Sequence, residues 1–253
     1  INENSYCILN ILKEMRVPTV VTYRGADIQI SEKYNYGKRR ASNIDKMIRK
    51  NIINYRCLTA TSESVKKEYI KLGVRSENIK IIPNFIDYNK FESCSENIDK
   101  IKLKYKIDRG KIIVLSVGRN HPKKGYDVIP SIIKELLKYR SDFIWIIVGK
   151  DCERIYEKAN NINVEKYLRI IGEIGKDTDK LTLNLPSFDL IKIYKASDVF
   201  CFPTRLETFG NVFLEAMASE TPIVTTNAPG AIDNIFHEQN GLVNNIDDVN
   251  AFA

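Results

Sequence analysis

Short apolar runs recur along the chain, and most are followed by a stretch with apolar positions at helical spacing. "PTVVTY" (18–23), "RCLTAT" (56–61) and "IKIIPN" (79–84) come first. Then follow "KIIVLSVG" (111–118), "FIWIIVG" (143–149), "LRIIG" (168–172), "DVFCFP" (198–203) and "TPIVTT" (221–226). They are short and apolar throughout instead of alternating, the pattern of parallel strands covered on both faces. Between them, "SESVKKEYIKLG" (62–73) predicts a helix with Ser62 as N-cap and Gly73 just past its end. "YDVIPSIIKELLKYR" (126–140) predicts another, in which Pro130 is tolerable only in the first turn. In "NIDKMIRKNIINY" (43–55), Ile44, Met47, Ile48, Ile52 and Tyr55 form a stripe suited to covering a sheet, with Lys46, Arg49 and Lys50 on the remaining arc. This alternation reads as an α/β, doubly wound architecture.

The polar stretch "FESCSENIDKIK" (91–102) interrupts the rhythm, and a fresh βαβ series starts after it. Residues 93–253 have the size of one Rossmann-like domain. Residues 1–92 hold only three strand candidates, and read as the tail of a domain whose first strands are missing.

Composition changes this picture little. Of 253 residues, 43% are hydrophobic and 28% charged, ordinary for a globular protein. No run of about 18 apolar residues predicts a membrane span. The sequence starts at Ile1 with no basic-then-apolar leader, so no signal peptide is expected. Cys7, Cys57, Cys94, Cys152 and Cys201 are scattered, with no C-x-x-C pair, which predicts reduced thiols in a cytoplasmic protein. Charge is more informative. Residues 31–80 carry 13 Lys or Arg against 5 Asp or Glu, a net +8, while the whole chain is +7, leaving −1 for the rest. That segment is either a surface for anionic partners or a solvated helix face. No interleaved aromatic–basic motif or zinc module points to nucleic acid.

Two places hold candidate chemistry. "ETFGNVFLEAMA" (207–218) sets Glu207 and Glu215 around Gly210, with Asn211 as candidate N-cap of a helix fed by the strand "DVFCFP". That helix start lies at the carboxyl end of the sheet, where open α/β sheets bind ligands and helix N-termini favour anions. Spacing alone leaves two readings: a capping carboxylate with an exposed helix residue, or two acceptors for sugar hydroxyls. The second place is "VGRNHPKKG" (117–125), a strand–loop–helix with Gly118 and Gly125 at its ends and Arg119, Lys123 and Lys124 within it. Its cations suit a phosphate group. It is neither a P-loop nor G-x-G-x-x-G, and His121 in it reads as incidental. "DTD" (Asp177, Thr178, Asp179) matches a metal-diphosphate motif but sits in a polar loop, and no metal is expected there.

"GRNHPKKG", "VGKD", "ASDVFCFPTRLETFGNVFLEAMASETPIVTT" and "IIPNFIDYNKF" together resemble retaining GT-B glycosyltransferases of family four. The resemblance runs from "TVVTYRGADI" to "HEQNGLVNNIDDV", and the E-x7-E spacing combined with the GR…KG loop is its specific part. It implies two Rossmann-like domains, the N-terminal one only partly present. It also implies transfer of a hexose from a nucleoside diphosphate sugar to a carbohydrate or lipid-linked acceptor, without metal or cofactor, in cell-surface polysaccharide or glycolipid synthesis. By the same likeness Gly118, Arg119 and Lys124 meet the diphosphate. Glu207 and the Phe209–Gly210–Asn211–Val212 backbone hold the sugar, and Glu215 accepts from the ribose hydroxyls. Glu207, Arg119 and Lys124 are then the catalytic set. Arg24 and Asp27 fall at the acceptor side, in R-G-A-D where H-G-x-D is frequent. Ser219 and Glu220 replace a small residue with glycine before "TP", and Phe85 replaces a glycine. The expected location is cytoplasmic, with weak contact to anionic membrane at its inner face. Two rivals remain: an epimerase or phosphorylase on the same scaffold, and a sugar-nucleotide-binding protein without catalysis.

Overall fold

The computed structural model describes residues 11–12, 14–95, 98–175 and 186–253. They form two compact units: the chain up to Asn84 together with Glu207–Phe209, and Phe85–Leu206 with Gly210–Ala253. The first unit contains β1 (Val20–Thr22), α1 (Gly25–Ile28), α2 (Ser42–Ile52), β2 (Cys57–Ala60), α3 (Glu63–Lys71) and β3 (Ile79–Ile81). Its sheet is parallel in the order β1-β2-β3, with Val21 opposite Leu58 and Leu58 opposite Ile79.

The α2 stripe is core, as its spacing predicts. Ile48, Ile52 and Tyr55 are buried with Leu58, Val65 and Tyr69, and Ile44 and Met47 pack against them. Ser62 caps α3, its Oγ accepting from Val65 N at 3.2 Å, and Gly73 follows the helix at φ +91°. The cations of this segment are less free than the sequence suggests. Asp45 accepts from Arg39 Nε at 2.8 Å and Arg49 Nε at 2.6 Å. Burial pushes the Asp45 carboxyl up, but the two guanidiniums outweigh it and hold it below its usual range. Lys38 pairs with Asp27, Arg40 with Glu32 and Lys71 with Glu68. Lys46 and Lys50 are exposed.

The second unit runs α4 (Tyr88–Glu92), α5 (Ile98–Lys104), β4 (Ile112–Val117), α6 (Ile129–Leu136), β5 (Phe143–Val148) and α7 (Arg154–Asn160). It continues with β6 (Leu168–Ile171), α8 (Phe188–Lys195), β7 (Val199–Phe202), α9 (Asn211–Ala218), β8 (Ile223–Thr226) and β9 (Leu242–Asn244). All six strands are parallel, in the order β6-β5-β4-β7-β8-β9. Numbered from β4, that is the 3-2-1-4-5-6 order of doubly wound sheets, in which the chain reverses direction between the first and fourth strands. Every residue of β5 is buried. Trp145 Nε1 donates to Ser116 Oγ at 3.0 Å and the Ser116 hydroxyl donates to Cys201 O, so one polar thread crosses β5, β4 and β7 inside an apolar core. Pro130 sits in the first turn of α6, where its missing N–H costs nothing. α4 belongs here because Phe91 and Cys94 cluster with Ile191 of α8.

Candidate functional site

The switch point of the six-stranded sheet lies between β4 and β7, so the loops leaving these two strands flank one crevice. These are the loops that carry the GR…KG and E-x7-E signatures, separated in sequence but joined by the topology. The β4 loop leaves the sheet at Gly118 (φ +146°), makes a 3₁₀ turn over Pro122–Lys124 and enters Gly125 at φ +69°. A Cβ at Gly125 would lie 1.9 Å from the Pro203 carbonyl oxygen, so glycine is what lets the β4 and β7 loops touch.

The two loops are also tied by hydrogen bonds. The Lys123 carbonyl accepts from Arg205 N at 2.7 Å, Leu206 N at 3.3 Å and Thr204 Oγ1 at 3.1 Å. Arg205 adds its side chain, donating to Pro122 O at 2.8 Å, to both Asp127 oxygens at 2.7 and 3.1 Å, and to Asp247 at 2.6 Å. None of this was readable from the sequence, where Arg205 is one cation among many. His121 caps the turn, its Nδ1 accepting from Lys123 N at 3.3 Å. Burial and the charges of Arg119, Lys123 and Lys124 push its pKa down, so it is a neutral ring at pH 7.

Lys124 folds over the Phe202 ring, Nζ 4.7 Å from the centroid, while Arg119 is exposed at the head of the loop. Helix α9 starts after Gly210, which takes the N-cap position at φ +85°. Asn211, expected as N-cap, is instead the first helical residue, because the left-handed entry demands glycine. Val212 follows in the first turn, and Phe213 N bonds back to Gly210 O at 2.9 Å. One turn in, Glu215 Oε2 accepts from the Tyr194 hydroxyl at 2.9 Å. Burial raises the Glu215 pKa, against the lowering pull of that hydrogen bond and of the Lys124 charge. The Lys124 charge thus acts on the Glu215 carboxyl. At the far end of α9, Glu220 holds φ +58°, the left-handed position for which a glycine was expected.

The raised Glu215 pKa fixes a sign. A folded-state carboxyl pKa above the unfolded value means folding binds protons, so this contribution to stability falls as pH rises through the window. Glu215→Gln, isosteric but uncharged, is expected to melt higher than wild type at about pH 8 and with it at about pH 4. Each kcal/mol of charge burial relieved corresponds to about 2–4 °C. Thermal melts at the two pH values check this.

Glu207 belongs to the first unit. Its carbonyl accepts from Gln29 Nε2 at 2.8 Å, Thr208 Oγ1 donates to Gln29 Oε1 at 2.7 Å, and Ser62 Oγ donates to Thr208 O at 2.8 Å. Glu207 and Phe209 are both buried. Gly25 of α1 lies against the same tripeptide, since a Cβ there would come within 2.5 Å of Thr208 Oγ1. Arg24 is the exposed residue before α1, and Asp27 pairs with Lys38 at 2.7 Å. Asp177 and Asp179 lie outside the described residues. Among the described cysteines, Cys57, Cys94, Cys152 and Cys201 are free, and burial pushes the Cys152 thiol to about 11 and Cys201 higher still. Among the described residues no helix is long and apolar enough to cross a membrane.

Residues 97–253 match the family of glycosyl transferases group 1, and residues 2–90 match glycosyltransferase family 4. The chain is 29% identical over 199 residues to the capsular polysaccharide biosynthesis glycosyltransferase CapM of Staphylococcus aureus, covering 78% of this chain and 50% of the relative. It is 25% identical over 201 residues to the lipopolysaccharide core biosynthesis glycosyltransferase LpsE of Rhizobium meliloti, covering 79% and 52%. The chain thus spans about half the length of the curated relatives it matches. The fold matches the crystal structure of HepE from Anabaena in complex with UDP and glucose, at TM-score 0.75 and 19% identity, over 98% of this chain and 64% of that one.

Proposed function

The chain belongs to the glycosyl transferases group 1, and from that membership we propose that it transfers a hexose from a nucleoside diphosphate sugar to a carbohydrate or lipid-linked acceptor, retaining the anomeric configuration. The observation that carries this reading lies at the switch point, where the charge of Lys124 from the β4 loop acts on the Tyr194-bound Glu215 of α9. Relatives named for capsular polysaccharide and lipopolysaccharide core biosynthesis support cell-surface polysaccharide or glycolipid synthesis as the setting.

In this mechanism the bond from the anomeric carbon to the diphosphate breaks as negative charge grows on the leaving phosphate. Arg119, Lys124 and the amides at the start of α9 stabilise that charge, which is the part of catalysis worth most. Glu215 accepts from the ribose hydroxyls. Glu207 accepts from the sugar, with the Phe209–Val212 backbone close to it. Arg119 and Lys124 neutralise the leaving-group charge that a metal ion would otherwise neutralise, so this mechanism uses no metal. Arg24 and Asp27 stand at the acceptor side. Incubation with UDP-, GDP- and ADP-sugars and an acceptor tests the reading: nucleotide release coupled to glycoside formation is expected. Isomerised donor or free sugar phosphate without transfer would assign the scaffold to an epimerase or a phosphorylase.

Lys124→Ala is expected to weaken nucleoside diphosphate binding by about 1.5–3 kcal/mol, the worth of one charge-assisted contact. Calorimetric titration reads it directly, and an unchanged affinity contradicts the assignment.

The exposed Lys46 and Lys50 of α2 lead us to expect weak attraction to anionic membrane, about 1 kcal/mol per cation that reaches the headgroups. The protein would then work at the cytoplasmic face, close to a lipid-linked acceptor. Co-sedimentation with anionic vesicles should fall steeply as salt shortens the Debye length from about 10 Å at 0.1 M to about 3 Å at 1 M. Equal binding to neutral vesicles would leave a solvated helix face.

A further inference from the structure

Glu215 has a partner that no motif announces. Tyr194 lies in the last turn of α8 and is fully buried. Three contacts fix it. Its ring packs on Phe200 at 5.5 Å between centroids, its carbonyl accepts from Thr221 Oγ1 at 2.8 Å, and its hydroxyl donates to Glu215 Oε2 at 2.9 Å. A buried phenol has its own pKa pushed well up, so the donor keeps its proton across the working range.

We infer that Tyr194 is a positioning residue for the nucleotide: its hydroxyl holds one Glu215 oxygen so that the other points at the ribose diol as an ionised acceptor. The inference rests on the proposed function and names how that site works. The chemistry explains why a tyrosine is needed. A carboxyl this buried tends to keep its proton, and a protonated carboxyl offers a donor where the ribose needs an acceptor. Among the described residues, the groups that act on Glu215 are Tyr194 from α8 and Lys124 from the β4 loop, and Tyr126 acts in turn on Tyr194. Lys124 is also expected to engage the diphosphate, so in the complex its charge is shared and the Tyr194 hydrogen bond carries more of the task of keeping Glu215 ionised.

Tyr194→Phe keeps the ring and its contact with Phe200 and removes only the hydroxyl. The probes are whichever of UDP, GDP and ADP binds wild type most tightly, and the 2′,3′-dideoxy form of the same nucleotide. Tighter wild-type binding of the hydroxylated probe tests the proposed function by itself. The variant tests the inference. It should bind the hydroxylated nucleotide about tenfold more weakly, with the dideoxy form unchanged and the acid limb of the binding curve moved to higher pH. Equal loss of both probes, or an unmoved acid limb, overturns it.

A ligand-free arm guards against loss of fold or of binding. Without the phenol, Glu215 should hold its proton to higher pH, so the stability of Tyr194→Phe relative to wild type should decline as pH rises from about 5 to about 8. In a Glu215→Gln background the pH-dependent part of that decline should vanish, because nothing is left to titrate. A decline that persists there would make Tyr194 a packing residue only.

Discussion

Alanine at position 207 is expected to lower turnover about a hundredfold while leaving nucleoside diphosphate affinity nearly intact. Of the donor's groups the Glu207 side chain would meet the sugar and not the nucleotide, and loss of a hydrogen bond to a charged group costs about 1.5–3 kcal/mol, or about one to two powers of ten in rate. The loop keeps two anchors that the substitution does not touch, because Gln29 and Ser62 donate to the backbone carbonyls of Glu207 and Thr208. Glu215→Ala should do the opposite, weakening the free nucleoside diphosphate because its partner would be the ribose. Calorimetry with the nucleotide, set beside steady-state rates, separates the two. Equal losses for both variants, or none, would contradict the division of roles.

The largest expected effect on stability is at Gly125. Alanine there would meet the Pro203 carbonyl at 1.9 Å and would also have to hold φ +69°. Left-handed strain on a side-chain-bearing residue costs about 1–3 kcal/mol and overpacking a tight contact about as much again, so the sum is about 2–6 kcal/mol. For a chain of this size that is a drop of about 10 °C in melting temperature. The clash also pries the β4 loop from the β7 loop, so Lys124 should lose its seat and nucleotide affinity should fall with stability. A variant that melts like wild type would contradict the contact.

The strands were legible where burial is uniform. β4 and β5 lie in the middle of a sheet covered on both faces, and an unbroken apolar run is the signature that condition leaves. β9 was not legible. It is three residues at the edge, with Leu242 exposed, and a strand that short has no periodicity to read. The two signature segments could be found because one sets glycines and cations, and the other a glycine between two carboxylates, within a few residues. Their meeting could be expected only through the doubly wound topology. The α9 cap was misplaced because asparagine is the common capping side chain, while the backbone enters at a positive φ that glycine meets without strain. Tyr194 lies 21 residues from Glu215, and Gln29 lies 178 from Glu207. Nothing local distinguishes a tyrosine that will donate to a carboxylate from one that will simply fill a core.

Trp145 gives this molecule its own fluorescent label. It is the one tryptophan in the sequence, and it sits in β5 of the second unit at 1% exposure with its indole N–H on Ser116. The first unit has buried tyrosines instead, among them Tyr23, Tyr55 and Tyr69. Selective excitation of the indole therefore follows the second unit alone, its emission moving to the red as β5 meets water. Overlaying that trace on the loss of far-ultraviolet dichroism, to which both units contribute, would show whether they melt in one step or in two.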